Sequence, residues 1–127
     1  MQLSKNFTSE ELQCRCCARL LYEDSLIVAL QRLRDRFGTP MIVTSGYRCP
    51  KHNKEVGGTE TSQHTKGTAV DLVFYQTANR NRFIALVEKM LDDGELPEIG
   101  GFGWKAYSNG CVHLDVRPRE NGKVARW

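Results

Sequence analysis

No stretch of this chain approaches the roughly 20 consecutive apolar residues that a membrane-spanning helix needs. The opening residues Met1 to Glu11 are polar, so the apolar core of a secretory signal is missing too. The expectation is a chain made in the cytoplasm. Internal repeats, low-complexity tracts and Pro/Ser-rich linkers are also absent, which predicts a single domain over residues 1–127. Charge of one sign is not in excess, because 18 Lys and Arg against 15 Asp and Glu leave only +3. A nucleic-acid binder shows a concentrated basic stripe, and without one no nucleic-acid partner is expected. Mild positive charge suits an anionic polymer such as a cell wall. The cysteines lack parity: five of them cannot all pair within one chain.

What is present is an ordinary globular composition, 40% hydrophobic and 26% charged, with length enough for a real core. Thr8 or Ser9 followed by Glu10 and Glu11 predicts a short helix start. Leu26, Leu30, Leu33 and Phe37 recur at helical spacing and predict a helix over 24–37, stopped by Gly38 and Pro40. Met41 to Thr44 reads as a strand, with a helical turn after Pro50 and a long polar connection through Thr59–Thr65. A second strand is expected over 69–74. A second helix is expected over 77–92, with Thr77 as its cap and Phe83, Ile84, Val87, Met90 and Leu91 as its buried stripe. A strand over 111–116 follows the turn at Ser108-Asn109-Gly110. These elements predict an α+β fold, a small and mainly antiparallel sheet with helices packed on it.

Two constellations carry chemistry. His64 lies in a polar loop seven residues before Asp71, whose strand is otherwise apolar, and such a carboxylate is costly to bury unless it is paired or binds a metal. In Val112-His113-Leu114-Asp115-Val116 the strict alternation puts His113 and Asp115 on one strand face. His64, Asp71 and His113 then make a set of two histidines and one carboxylate. Three protein ligands with one open position describe a catalytic zinc site, and the same set also fits non-haem iron.

The order of motifs narrows this choice. Ser62-x-His64-x-x-Gly67-x-Ala69-x-Asp71, then Val112-His113-Leu114-Asp115, resembles the zinc D-alanyl-D-alanine carboxypeptidase family, which shares its fold with the hedgehog signalling domain. The likeness extends to Thr44-Ser45-Gly46-Tyr47-Arg48, to His52-Asn53 with Val56-Gly57-Gly58, to Gly101-Phe102-Gly103-Trp104 and to Arg126-Trp127. It implies Zn2+ on His64, Asp71 and His113, and Arg48 on the substrate as a clamp for a carbonyl or carboxylate. Ser62 and Gln63 are implied as substrate-backbone contacts. Several branches of the family carry an acid three residues before the last histidine, where this chain has Gly110. Asp115 is then the available carboxylate, expected either to handle the proton or to orient a ligand histidine. The implied substrates are peptidoglycan peptides, cut by a monomeric, phage-endolysin-like enzyme that reaches the wall after release. A zinc-bearing but silent wall-binding domain is the competing reading.

The remaining residues divide into sharp and bland readings. Cys14, Cys16 and Cys17 cluster, and with Cys49 they offer a structural zinc site, a disulfide in an oxidising compartment, or small half-buried side chains. Cys-x-Cys-Cys departs from the usual knuckle spacing. A cysteine–zinc nucleic-acid module built on the same residues is the rival to the histidine site. His52 reads as a turn residue, Trp104 and Tyr107 as either packing or groove walls, and Trp127 as a seal on the core.

Overall fold

Helix α1 (Ser9–Leu12) starts where the glutamates predict, with the Glu11 carboxylate accepting from the Thr8 backbone N–H at 3.0 Å and from its hydroxyl at 3.1 Å. Helix α2 (Asp24–Phe37) buries Leu26, Ile27, Leu30, Leu33 and Phe37 along one stripe and closes at Gly38. The computed structural model describes residues 1–127 and continues with β1 (Ile42–Ser45), α3 (Pro50–Glu55) and a 3-10 helix (Gln63–Lys66). After these come β2 (Ala69–Val73), α4 (Thr77–Asp92), β3 (Gly101–Gly103), β4 (Val112–Asp115) and β5 (Ala125–Arg126). One five-stranded sheet runs in the order β1-β2-β4-β3-β5, antiparallel throughout except for the parallel β3–β5 pair. The α+β expectation holds.

Besides strand ends that shift by one residue, three details differ from the sequence reading. Gln76, not Thr77, occupies the cap of α4, and Thr77 is the first helical residue. The glycine-rich segment at 101–103 is a strand, too short and too poor in side chains to show a period of two. The two-residue β5 is likewise too short to announce itself.

The two faces of the sheet do different work. Val70, Leu72, Phe102, Val112 and Leu114 point toward α2 and α4 and join a core of 21 buried residues. Neighbouring positions point the other way: Asp71 pairs with His113 across β2–β4, Ala69 with Asp115, and Gly101 and Gly103 with Asp115 and His113 across β3–β4. All four residues of β4 are therefore buried, two against the helices and two against the functional face.

Candidate metal centre

Register alone brings Asp71 and His113 together, and the 3-10 helix delivers His64. Ser62 caps that helix, its hydroxyl oxygen accepting from the His64 backbone N–H at 3.2 Å. Asp71 Oδ2 then lies 3.2 Å from His64 Nε2, and Oδ1 lies 2.9 Å from His113 Nδ1. His64 Nδ1 sits 2.7 Å from the Gly46 carbonyl oxygen. A carbonyl can only accept, so Nδ1 carries a proton, and Nε2 is the ring nitrogen that faces Asp71 and is free to take a metal. On His113 the roles are exchanged: Nε2 faces Asp115 Oδ2 at 2.7 Å and Nδ1 faces the site.

The electrostatics agree with a cation site. Burial works against the charge on Asp71, yet the His113 and His64 contacts outweigh it and hold the carboxyl far below its usual range. Burial likewise opposes a charge on His113, and the Asp115 and Asp71 carboxylates more than compensate, raising its pKa. Two imidazole nitrogens and a carboxylate, every ligand atom within 4.8 Å of the others, compete for protons that one divalent cation would replace. This donor set fits zinc: borderline-soft nitrogen, one carboxylate oxygen, three protein ligands and an open side toward the cleft.

Of the two roles open to Asp115, its surroundings fit the orienting one. It is fully buried, with Oδ2 on His113 Nε2, the nitrogen turned away from the metal-facing atoms. Arg117 clamps the same carboxylate from the other side, Nε at 2.8 Å from Oδ1 and Nη2 at 2.6 Å from Oδ2. A carboxylate so enclosed fixes the tautomer of His113 and cannot reach a water in the cleft. Its room comes from Gly101, where an added Cβ would lie 2.4–2.6 Å from the Asp115 carboxyl atoms. Gly101→Ala is therefore expected to displace the Asp115 carboxylate, costing about 1–3 kcal/mol of stability. The same substitution should weaken zinc binding by about 10- to 100-fold. Denaturant titration and a zinc competition assay measure the two effects, and unchanged zinc affinity would remove Asp115 from the support of the site.

The cleft over these residues has a volume of about 510 Å³ and includes Arg48, Ser62, Gln63, Tyr107, Arg117 and Trp127 in its walls. Arg48 donates from Nη2 to Ser62 Oγ at 3.2 Å, while its buried Nε has no partner. Ser62 is thus occupied by Arg48 and by His64, which makes it a positioning hydroxyl. Gln63 Oε1 accepts from Thr68 Oγ1 at 2.9 Å. Trp127 corrects the sequence reading: instead of only sealing the core, it lies 5.0 Å from the His113 ring and donates from Nε1 to Tyr107 Oη at 2.7 Å. Gly103 makes room for it, since a Cβ there would sit 2.3 Å from the indole. Trp104 stays outside this wall and packs beside Arg80 and Lys105. His52 belongs to α3, its ring nitrogen 3.9 Å from Glu55.

Arg117 escaped the sequence reading, although His113, Asp115 and Arg117 continue one alternation along β4 and beyond it. Gly110 has φ +79 and its carbonyl accepts from Arg80 Nε at 2.7 Å. That left-handed backbone suits glycine, so the position serves the turn before β4. Asp71 supplies the only carboxylate in the cleft wall.

A comparison with curated proteins gives no match. The family profile described as Peptidase M15 matches residues 5–115, a span that takes in Arg48, His64, Asp71, His113 and Asp115. M15 peptidases are zinc enzymes, and the match covers most of the chain together with the trio that fits zinc. The chain belongs to the peptidase M15 family.

Proposed function

We propose that this cleft hydrolyses peptide bonds in peptidoglycan stem peptides or their cross-links, as a zinc carboxypeptidase or endopeptidase. The observation that carries the proposal is the half-buried Arg48, whose buried Nε has no partner, in the same cleft as the His64–Asp71–His113 set. Zinc held by that trio supplies Lewis acidity to the scissile carbonyl and to the attacking water. Arg48 binds what the peptide brings that is negative, either a terminal carboxylate or the oxyanion developing at the carbonyl. Burial lowers the Arg48 pKa while Asp71 and Tyr107 oppose the shift, and an arginine stays cationic at any working pH. Ser62 holds Arg48 by its hydroxyl. Burial raises the Tyr107 pKa, so this phenol keeps its proton and can donate to the substrate. Trp127 and Tyr107 form the cleft wall beside His113.

Arg48→Lys removes the planar fork and keeps the charge. We expect kcat/KM to fall by about 100-fold with zinc content unchanged, checked by steady-state kinetics beside metal analysis. The reading as a whole is tested on purified peptidoglycan, following free D-alanine and shortened muropeptides by mass spectrometry. Product that disappears with a chelator and returns with zinc supports it. No product between about pH 5 and 9 from zinc-loaded protein would overturn it. That outcome would favour the silent wall-binding reading, for which Gly110 and the enclosed Asp115 are the motivating observations.

A further inference from the structure

The cysteines that the cleft does not use converge at a single point. Cys14 to Cys17 lie in a tight turn in which Cys14 N–H donates to the Arg19 carbonyl at 2.8 Å and Ala18 N–H to the Cys14 carbonyl at 2.9 Å. Ala18 itself takes φ +60, a left-handed conformation that a non-glycine residue adopts only when its surroundings hold it there. From the far side comes Cys49, the residue that caps α3. Cys16 Sγ is 3.6 Å from Cys14 Sγ and 3.4 Å from Cys49 Sγ. The four sulfurs of Cys14, Cys16, Cys17 and Cys49 all lie within 4.8 Å of one another.

We propose that Cys14, Cys16, Cys17 and Cys49 form a second, structural zinc site. A tetrahedral zinc with bonds of about 2.3 Å to sulfur sets its ligands roughly 3.8 Å apart, which the observed separations approach. Four sulfurs close the coordination shell, the mark of a structural and not a catalytic ion. Cys14 and Cys17 stand at the two-residue spacing of a zinc knuckle, which the intervening Cys16 obscures in the sequence. Two backbone amides already point at sulfur: Cys49 N–H donates to Cys14 Sγ and His52 N–H to Cys49 Sγ, each at 3.4 Å.

Without a cation the thiols conflict. Burial raises the Cys14 pKa, but the amides of Cys49, Cys16 and Cys17 pull it down to about 6. The neighbouring Cys49 and Cys14 thiols push Cys16 up to about 12. A bound divalent ion lets all four ionise together. The fifth thiol, Cys111, is buried just before β4 and raised to about 11 by that burial, so it stands apart as an inert side chain.

The site has a structural task to perform. The chain between α1 and α2 has no regular secondary structure, and its stretch from Cys16 to Arg19 is exposed, so no apolar burial secures that stretch. It passes beside the His64 helix, where Glu23 N–H donates to the Gly67 carbonyl at 3.0 Å, and Cys49 directly follows Arg48. An ion on the four cysteines would fasten this segment to the start of α3, next to the cleft.

The experiment is metal counting on protein purified with reductant, joined to zinc-edge absorption spectroscopy. We expect two zinc ions per chain, with a sulfur shell at about 2.3 Å beside a nitrogen and oxygen shell. His64→Ala should lose one ion and leave the sulfur shell, whereas Cys49→Ser should lose the other and leave the nitrogen and oxygen shell. Because Cys49→Ser can destabilise the fold, cobalt substitution of the unaltered chain gives a second measurement, expected to show the strong charge-transfer bands of thiolate-bound cobalt. A single zinc without sulfur scattering, or cobalt protein without those bands, would overturn the proposal. So would a reductant-sensitive mass deficit of two hydrogens in the zinc-loaded chain, which would show a disulfide in place of the ion. None of these readouts depends on peptidase activity, so they separate this site from the cleft.

Discussion

His64→Ala is expected to lose the cleft zinc and to lower peptide hydrolysis by at least about 1,000-fold. The reason lies in the geometry around Asp71, whose two oxygens face His64 Nε2 and His113 Nδ1. Alanine leaves a largely buried carboxylate with one ligand partner instead of two, and a divalent ion with two protein ligands in place of three. Lewis-acid stabilisation of the transition state is worth several kcal/mol, and each 1.36 kcal/mol is a factor of about ten in rate. Metal analysis should show one ion fewer per chain while the circular dichroism spectrum stays native. A His64→Ala chain that kept all its zinc would shift the assignment to the cysteines.

Asp115→Asn should act through the metal and not through the proton. Asparagine preserves the shape of the side chain but removes the charge that braces His113 Nε2. The expected result is zinc affinity weaker by about 10- to 100-fold, with activity recovered at high zinc. A general base would behave differently: its loss costs about 100- to 10,000-fold and no amount of metal restores it. Acid stability offers an independent check. Burial raises the Asp115 pKa, but His113 and Arg117 outweigh it and lower it from its ordinary 3.8 to about 2. A folded-state pKa below the unfolded one stabilises above the unfolded value and is lost as pH falls through the folded value. Asp115 should therefore contribute on the order of 2 kcal/mol above about pH 4, lost between about pH 4 and pH 2. Asp115→Asn should flatten that part of the acid denaturation curve.

The helices were readable because their apolar residues recur with the helical period over several turns, as in Leu26, Leu30, Leu33 and Phe37. The metal trio was readable for a different reason. Period-two alternation in β4 turns His113 away from the core, and Asp71 interrupts an apolar strand. What alternation cannot show is which imidazole nitrogen points into the site. Asp115 shares a strand face with His113, yet it lies on the Nε2 side, and this one angular fact favours support over proton handling, a choice the sequence left open. The glycines of β3 carry no side-chain pattern, so the strand is visible only once Asp115 and Trp127 are seen filling the space above Gly101 and Gly103. Trp127 and Cys49 reach their neighbours across long separations in sequence. Local spacing cannot signal such contacts, because tertiary folding alone brings Trp127 to His113 and Cys49 to Cys16.

The most direct measurement is a crystal structure of the zinc-loaded protein with anomalous data collected at the zinc edge. A peak bonded to His64 Nε2, the Asp71 carboxylate and His113 Nδ1, with its fourth side open toward Arg48, is the expected result. Absence of zinc from these three atoms, or zinc on the Nε2 side of His113, would contradict the centre described here.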